Sequence, residues 1–387
     1  MGALDGLRVI DATTVVMGPY ATRLLADQGA EVLKVEPPGG DVMRRAGQGG
    51  AMFAQLNRNK RGVMLDLKAP AGQAALRRLA AGADVLVHNM RPDAAGRLGL
   101  NRAALSAVNP QLIVAAAVGY GSDGPYAGRP AYDDLIQAAS GLADIIGRAS
   151  GTGEPAYVPL TLSDRVVGIH LAQAVTAALL QRERTGEAAE IEVPMFETFA
   201  DLVLGDHLGG LAFDPPRGGP HYARLISRQR RPYRTRDGYI AVLLYTDAHW
   251  RAFFRALGRE AELEADPRLR DHAARLANID HAYGLVGAAL AERGTAEWLG
   301  VLEPLDIPVA PVNDIAALLQ DPHLRAVGYW REIPLPEGGV LRGPAPVGRW
   351  SGKDAAPLHP PPPLQSEAVD WSRDRDSREG ARQGEQA

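Results

Sequence analysis

The sequence predicts an α/β fold in which helices cover both faces of a parallel β-sheet. In the first half of the chain, short apolar runs alternate with amphipathic segments, which is the pattern of strands joined by crossover helices. Some runs, such as Leu112–Val118, are apolar at every position, as is typical of strands buried on both faces. The chain has 387 residues, of which 46% are hydrophobic, enough for more than one domain and a large core.

The predicted strands and helices of the first half are bounded by turn signals. Gly29 and Thr185-Gly186 are typical helix ends. The predicted strands are Leu7–Ala12, Glu31–Glu36, Val63–Leu67, Asp84–Asn89, Leu112–Val118 and Ile191–Pro194. The predicted helices are Tyr20–Gln28, Ala71–Ala81, Tyr132–Gly147, Arg165–Arg184 and Phe196–Gly205.

A change in composition indicates the end of the first domain. Residues Gly209–Arg236 are rich in Gly, Pro and Arg, and a strand at Tyr239–Leu244 then begins a smaller unit. Its predicted helices are Trp250–Leu257, His272–Arg293, Thr295–Val301 and Asp314–Gln320. Pro-rich segments after Tyr329 indicate a return to the first domain. We therefore predict a large domain from 1–215 and 329–358, a small domain from 216–328, and a disordered tail over 359–387.

Composition excludes several kinds of function. The formal net charge of −4 provides no positive field for nucleic acid. The absence of cysteine excludes disulfides and thiolate chemistry and is compatible with a reducing compartment. The nine histidines are scattered without metal-ligand spacing. Met1–Arg8 lacks the pattern of a secretory signal and Val166–Leu180 is too short to span a bilayer, so we expect a cytoplasmic protein with no metal, membrane or nucleic-acid partner.

The segment Gly119-Tyr-Gly-Ser-Asp-Gly124 matches the formal dinucleotide-binding pattern Gly-x-Gly-x-x-Gly. Pro125 and Pro130 follow, so a loop continues where that motif requires a helix, and no acidic residue ends a strand at the usual distance. A nicotinamide site is therefore disfavoured. The glycines instead indicate a loop at the carboxyl end of a strand, where α/β sheets bind ligands.

Asp164 lies just before the predicted helix Val166–Arg184, and its position has two interpretations. It can be an N-cap, because Asp is among the residues preferred there. Alternatively, the helix dipole and nearby donors keep its carboxylate ionised and available as a nucleophile. Asp133 also stands at a predicted helix start, and Arg91 and Arg97 are candidates either for an anion site or for a solvated helix face. The pattern alone does not decide between these interpretations.

An ordered series of motifs extends from Leu4 to Trp350. The most recognisable is Met17–Glu36, with the sequence MGPYATRLLADQGAEVLKVE. The others are Leu4–Thr13, Gly39–Arg44, Asn57–Arg61, Leu65–Lys68, Val87–Pro92, Gly119–Tyr126, Ile307–Asn313 and Asp321–Pro322. In this order they resemble the class III CoA-transferase family, the superfamily of formyl-CoA transferase, carnitine CoA-transferase and α-methylacyl-CoA racemase.

The resemblance implies a Rossmann-like large domain, a smaller α+β domain and an interlocked homodimer. It also implies that Asp164 is the nucleophile, which attacks an acyl-CoA thioester and passes CoA through an aspartyl thioester to an acceptor acid. Asp133 matches an acidic position near the catalytic carboxylate and is implied as a supporting acid. The expected partners are an acyl-CoA donor and a carboxylic acid acceptor, with the coenzyme A thioester as substrate and no tightly bound cofactor.

The same resemblance implies a binding site for CoA. The matching positions are Val16, Met17, Leu65, Lys68, Asn89, Met90, Arg91 and Arg97. The cationic members of this set are candidates for contacts with the CoA phosphates. Pro37 stands where some relatives carry an arginine, which removes one such contact. The glycine-rich flap of formyl-CoA transferases has only weak counterparts in this chain, which argues against formate or oxalate as the acid.

Two other functions are compatible with parts of the pattern. The racemase branch moves an α-proton with a His and an Asp, but Tyr132 stands where the His would precede Asp133, so the second proton carrier is missing. A non-catalytic acyl-CoA-binding protein would keep the CoA contacts and would not need Asp164. The Arg-rich stretch Arg217–Arg236 offers cations for a second carboxylate, so we expect a dicarboxylate such as succinate as donor or acceptor.

Overall fold

The protein is described by a computed structural model over residues 2–348, 351, 357–365 and 371. The chain separates into two compact units. The first comprises Met1–Ser140, Val158–Asp201 and Arg325–Ala387, and the second comprises Gly141–Tyr157 and Leu202–Leu324. The domain limits expected from the sequence, 1–215 with 329–358 and 216–328, are not tested by this division and stay a prediction.

The strands and helices are numbered in chain order. The strands are β1 (Arg8–Ala12), β2 (Glu31–Glu36), β3 (Lys60–Met64), β4 (Val85–His88), β5 (Ile113–Val118), β6 (Glu190–Pro194), β7 (Tyr233–Arg234), β8 (Tyr239–Val242), β9 (Val309–Pro311), β10 (Trp330–Pro334) and β11 (Val340–Pro344). The helices are α1 (Met17–Ala26), α2 (Ala51–Asn57), α3 (Pro70–Ala81), α4 (Pro92–Leu98), α5 (Arg102–Leu105), α6 (Asp133–Ala139), α7 (Leu142–Ser150), α8 (Leu162–Thr185), α9 (Met195–His207), α10 (Ala223–Ile226), α11 (Asp247–Ala256), α12 (Glu260–Ala265), α13 (His272–Ala277), α14 (Ile279–Leu290), α15 (Thr295–Leu302), α16 (Ile315–Gln320) and α17 (Pro322–Ala326). None of the described helices combines the length and the apolar composition that crossing a bilayer requires.

The first unit is built on a six-stranded parallel sheet in the order β3-β2-β1-β4-β5-β6. This confirms the predicted α/β class. The chain adds β2 and β3 on one side of β1 and then crosses over to place β4 on the other side. The connections that leave β1 and β4 therefore diverge, and the space between them at the carboxyl ends of the strands is where such sheets bind ligands.

The sheet is buried because its strands are apolar on both faces. On one face, Ile10, Leu33 and Leu86 pack with Leu76 and Leu79 of α3, and all of these side chains are buried. Residues that point to the opposite face of the sheet, such as Val9, are buried as well. Helices α1 and α8 pack against each other and against the sheet. A near-continuous apolar sequence is what a strand covered on both faces requires.

Gly168 allows α8 to approach α1 closely. A Cβ atom at this position would lie 2.8 Å from the Met17 carbonyl oxygen and 3.0 Å from the Tyr20 ring. Any larger residue would push the two helices apart, because a Cβ atom does not approach other heavy atoms this closely. The contact brings the first turns of α1 and α8 to the same end of the sheet.

Three predicted elements differ clearly from the structure. The helix predicted over His272–Arg293 is divided into α13 and α14 at Asn278, whose φ of −121° is not helical. Strand β3 begins at Lys60, whereas Val63–Leu67 was predicted, because the buried Lys60 side chain is paired with Asp11 and an apolar pattern does not register such a residue. The helix predicted over Tyr132–Gly147 is divided into α6 and α7 at Gly141, whose φ of +88° ends the first helix.

The second unit has its own small core. Strands β7, β8 and β9 form an antiparallel sheet. Phe253 of α11 stacks on Trp298 of α15 with ring centroids 6.2 Å apart, and Leu290 of α14 is fully buried beside them. Most of this core comes from helices, so the three-stranded sheet is covered rather than central.

Part of the segment predicted as a disordered tail packs against the first unit. The Asn59 N–H donates to the His359 carbonyl over 3.1 Å, and the Met64 N–H donates to Gln365 over 2.6 Å, so this segment follows the outer edge of β3. The Trp371 side chain is 1% exposed, and its indole N–H donates to Glu31 over 3.0 Å. These residues differ from the expectation of disorder, and the rest of the predicted tail lies outside the described residues.

Candidate active site

A cavity of about 740 Å³ lies in the first unit at the carboxyl ends of β1, β4 and β5. Its volume is within the range of about 300–1,000 Å³ that small-molecule sites occupy. The residues that follow each of these strands form its walls, as the strand order leads one to expect. The lining comprises residues 14–17, 89–94, 97, 117–120, 122, 127–132, 164 and 195.

The cavity brings together most of the residues that the sequence singled out. Those that line it are Val16, Met17, Asn89, Met90, Arg91, Arg97 and Asp164. Leu65 and Lys68 follow β3 and are not among the lining residues, so their contact with CoA stays a prediction. Asp133 is buried next to Asp164 without lining the cavity.

The structure corrects the expected position of Asp164 in its helix. Helix α8 begins at Leu162, so Asp164 lies inside the first turn and is not the N-cap. The N-cap residue is Thr161, and its side chain makes no capping hydrogen bond. The free N–H groups of this helix start must therefore find acceptors elsewhere.

Asp133 supplies the missing acceptor from the first turn of α6. Its Oδ1 accepts from the Ser163 hydroxyl over 2.7 Å and from the Asp164 N–H over 3.1 Å. Its Oδ2 accepts from the Gln137 amide over 2.6 Å. The residue is only 7% exposed, so a buried negative charge is held by donors from two helices. Sequence reasoning missed Gln137 and Ser163, although the spacing of Asp133 and Gln137 on one helix face was an available signal.

The Asp164 carboxyl is left in an unfavourable place for a negative charge. Burial, and in second place the charge of Asp133, raise the pKa of Asp164 from 3.8 to about 7, while Arg165 opposes the shift. No side chain among the described residues donates a hydrogen bond to its carboxylate. The expectation that the helix start keeps this carboxylate firmly ionised is therefore wrong, because the local donors are used by Asp133.

Three arginines add positive charge to the cavity wall. Arg91 and Arg97 were expected there, whereas Arg129 was not. Arg129 lies over the Tyr126 ring, 4.2 Å from its centroid, in the loop that follows the glycine-rich segment after β5. Guanidinium groups bind phosphate and carboxylate well. Among the residues that the structure describes, no group of three or more acidic or histidine side chains is placed to hold a metal ion.

The first unit thus combines a parallel α/β sheet with a cavity at the point where the strand order reverses, lined by three arginines and by the Asp164 carboxyl group. The sequence model of CoA-transferase family III matches residues 4–367, so the chain belongs to this family. The resemblance noted from the motifs is thereby confirmed.

Relatives of known name cover nearly all of the chain. It is 34% identical over 363 residues to the acetyl-CoA:oxalate CoA-transferase of Acetobacter aceti, which covers 91% of this chain and 90% of the relative. It is 31% identical to the succinyl-CoA:glutarate CoA-transferase of Mus musculus, over 94% of this chain and 84% of the relative. The crystal structure of Rv3272 from Mycobacterium tuberculosis is similar with a TM-score of 0.81 at 31% identity, over 94% of this chain and 97% of that one. The enzyme class predicted from the sequence, a CoA-transferase, is confirmed.

Replacement of Asp164 by Asn should stabilise the protein at pH 8 and leave it unchanged at pH 4. A carboxyl whose pKa is raised to about 7 contributes stability when protonated and loses that contribution as the pH rises from about 4 through 7. The neutral amide does not lose it, so the free energy of unfolding should exceed that of the wild type by on the order of 3 kcal/mol at pH 8.

Urea unfolding followed by circular dichroism between pH 4 and pH 8 measures this difference. Asp134→Asn changes the exposed neighbouring carboxylate of α6 and serves as the control. If the difference in the free energy of unfolding between Asp164→Asn and the wild type is the same at every pH in this range, the raised pKa of Asp164 is contradicted.

Proposed function

We propose that Asp164 is the nucleophile of a CoA transfer between two carboxylic acids, with Asp133 as its supporting acid. The observation that carries the proposal is a half-buried carboxyl group that lines the cavity and whose pKa is raised to about 7. At neutral pH a large fraction of this group is ionised, yet the described part of the protein offers the anion no hydrogen-bond donor. A poorly solvated carboxylate is a reactive nucleophile.

The proposed reaction proceeds by acyl exchange on the Asp164 side chain. Its carboxylate attacks the thioester carbonyl and expels CoA thiolate, which leaves a mixed anhydride between the enzyme and the donor acid. The thiolate then attacks the Asp164 carbonyl carbon and releases the donor acid, so that CoA is held as an aspartyl thioester. The acceptor carboxylate repeats the two steps in reverse, regenerates the Asp164 carboxylate and leaves as its CoA thioester.

Asp133 supports this chemistry through the start of α8. Its charge contributes to the raised pKa of Asp164, and two of its hydrogen bonds, from the Ser163 hydroxyl and the Asp164 N–H, fix the first turn of the helix that carries the nucleophile. When Asp164 becomes acylated it loses its charge, and the repulsion from Asp133 is relieved. The supporting acid therefore favours the covalent intermediate over the free carboxylate.

The walls of the cavity suit the CoA portion of the substrate. Arg91, Arg97 and Arg129 line it, and we assign them to the phosphates or to a carboxylate of the bound acid. Val16, Met17, Asn89 and Met90 would contact the remainder, with Leu65 and Lys68 added from the resemblance. The CoA thioester is a substrate in this proposal, and no tightly bound cofactor is needed.

Succinyl-CoA is the donor that we propose, with a second dicarboxylic acid as acceptor. The Mus musculus relative is named for succinyl-CoA and glutarate, and the Acetobacter aceti relative for acetyl-CoA and oxalate, so a dicarboxylic acid occurs in both names. A second carboxylate needs a cation near the cavity, and Arg129 is one candidate. The weak counterparts of the formyl-CoA transferase flap still argue against oxalate itself.

We propose further that the enzyme is a homodimer in the cytoplasm. Support for the dimer comes from α8, which exposes Ile169 and Leu180 on one side while Leu171 and Val175 are buried on the other. Ile169 and Leu180 are 11 residues apart, which places them on one helix face, with the exposed polar residues Gln173 and Thr176 between them. Two large exposed apolar side chains on one face of a long helix fit a partner surface. The cytoplasmic location rests on the absence of cysteine and stays a prediction.

Trapping should locate the covalent intermediate. After incubation with succinyl-CoA and borohydride or hydroxylamine, a mass shift on the peptide that contains Asp164 is expected, because both its anhydride and its thioester are reactive acyl groups. Asp164→Ala should abolish the mass shift and lower kcat by a factor of at least about 10³. Asp134→Ala, an exposed carboxylate nearby, should retain both, and a mass shift at any other residue would contradict the proposal.

A panel of donors and acceptors distinguishes the proposed transfer from its alternatives. Succinyl-CoA should donate CoA to glutarate, malate or a related dicarboxylate faster than acetyl-CoA or propionyl-CoA does. Succinyl-CoA that is inert while monocarboxylic thioesters react would exclude the proposed donor. Exchange of the α-hydrogen of 2-methylacyl-CoA with deuterated water, without any acid acceptor, would instead show racemase chemistry.

The dimer should be visible as a particle of twice the chain mass in light scattering coupled to size-exclusion chromatography. Ile169→Glu combined with Leu180→Glu should shift it toward the monomer, because two charges would have to be buried in the interface. Val347→Glu, at a position that is 82% exposed, is the control. A wild-type particle with the mass of one chain would contradict the proposal.

A further inference from the structure

The turn between β1 and α1 forms one wall of the cavity and contains a strained residue. Thr14, Val15, Val16 and Met17 line the cavity. Val15 has a φ of +69°, in the left-handed region. A β-branched residue rarely adopts this conformation, because its Cβ atom collides with the adjacent carbonyl. Such strain persists only when the surrounding structure holds it in place.

Side chains from three strands and their loops hold the backbone of this turn. The carboxylate of Asp11 in β1 accepts from the Thr13 N–H over 3.0 Å, and the ammonium of Lys34 in β2 donates to the Thr13 carbonyl over 3.0 Å. Asn89, which follows β4, accepts from the Thr14 N–H over 3.0 Å and donates to the Thr14 carbonyl over 2.9 Å. The turn is therefore fixed residue by residue up to Val15.

Asp41 holds the strained residue itself. Its two carboxylate oxygens lie 3.3 and 3.5 Å from the Val15 nitrogen, which donates to both. Asp41 also forms an ion pair with Lys34, with 3.1 Å between Oδ2 and Nζ, and both side chains are fully buried. The Asp41 N–H in turn donates to the Glu36 carboxylate over 2.9 Å, and this hydrogen bond holds the backbone of Asp41 in place.

A second buried ion pair supports the same turn from behind. The Lys60 ammonium donates to Asp11 over 2.8 Å, to the Pro19 carbonyl over 2.9 Å and to Asn57 over 2.8 Å. Pro19 belongs to the first turn of α1, so Lys60 links β3 to the helix that follows the turn. Burial lowers the pKa of Lys60 to about 8, against the opposing charge of Asp11 and with a smaller contribution from Lys34. Burial of Asp11 is outweighed by Lys60 and Lys34, which hold the pKa of Asp11 well below its usual range.

Stability alone does not account for these buried charges. Well-packed apolar side chains in place of a buried ion pair are often as stable or more so, because the charges give up their hydration. Neither Lys34 nor Asp41 lines the cavity, so neither is placed to touch a substrate. What an apolar pair cannot do is accept a hydrogen bond from the Val15 N–H and donate one to the Thr13 carbonyl.

We infer that Lys34 and Asp41 are positioning residues, whose buried ion pair holds Val15 in its left-handed conformation and so fixes the cavity wall formed by Thr14–Met17. The inference rests on the proposed function, in that the ligand of this wall is CoA. The pair acts through the backbone, at a distance from the ligand. Its loss should weaken binding of CoA without any direct contact being removed.

Calorimetric titration of coenzyme A into the full chain tests the inference. Asp41→Asn keeps the shape of the side chain and removes its charge, so the Kd of CoA should rise by about tenfold as the turn leaves its strained conformation. Asp27→Asn is the matched control, because Asp27 and Arg58 form an ion pair 2.9 Å long away from the turn, with side chains only 6% and 1% exposed. It should destabilise the protein in thermal unfolding and leave the Kd within about twofold of the wild type.

Val15→Gly gives the decisive comparison, since glycine adopts a positive φ without strain. In the Val15→Gly background, Asp41→Asn should change the Kd of CoA by no more than about threefold, because there is little strain left to restrain. An equal loss in both backgrounds overturns the inference, as does a Kd for Asp41→Asn that matches the wild type. If Asp41→Asn alone does not fold, the double variant must fold and bind CoA, and failure to do so overturns the inference as well.

The same titration separates this inference from the function on which it rests. A wild-type chain that does not bind CoA would overturn the proposed CoA site and this inference with it. A wild-type chain that binds CoA, together with an Asp41→Asn variant that binds it equally well, overturns the positioning role alone.

Discussion

The capping of α8 by Asp133 is the interaction on which the site depends. A helix start leaves N–H groups without partners, and here a charged side chain from another helix accepts from the Asp164 N–H and from the Ser163 hydroxyl. Because Asp133 takes these donors, the carboxyl of Asp164 is left without them and next to a like charge. A single interaction thus stabilises the helix and destabilises the anion at its first turn. The buried charge of Asp133 and the destabilised carboxylate of Asp164 therefore have the same structural origin.

The sheet determines where this pair of carboxyl groups can act. Strands β1 and β4 are neighbours although they are far apart in the chain, and their following loops diverge to leave the cavity. The glycine contact at Gly168 holds the first turns of α1 and α8 together, so the Val15 turn and Asp164 share one cavity. The apolar strands therefore do more than fill the core. Their order brings a strained turn and the Asp164 carboxyl group to the same cavity.

The sequence was sufficient for the fold class, and most of the site residues that it singled out line the cavity, since apolar periodicity and ordered motifs depend on local patterns. It was insufficient where a long-range partner changes the meaning of a residue. Lys60 interrupts the apolar pattern of β3 because its charge is matched by Asp11, 49 residues earlier. The sequence led us to expect that the helix start favours the ionised form of Asp164, whereas its pKa is raised. The reason is that Asp133, 31 residues away, takes the donors that the helix start would have offered. Nothing local indicates that Val15 has a positive φ, since valine is a residue that usually avoids it.

The C-terminal segment 357–365 has a consequence for association between sheets. Strand β3 is an edge strand, and an edge leaves unpaired N–H and carbonyl groups that invite pairing with another chain. Residues 357–365 cover this edge, with Pro362 so close to Gly62 that a Cβ atom there would lie 2.8 Å from it. The prolines of this segment have no N–H to offer to a further strand. Segment 357–365 therefore protects the β3 edge of the sheet from pairing with a strand of another molecule, and without it the N–H and carbonyl groups of this edge would be open to such pairing.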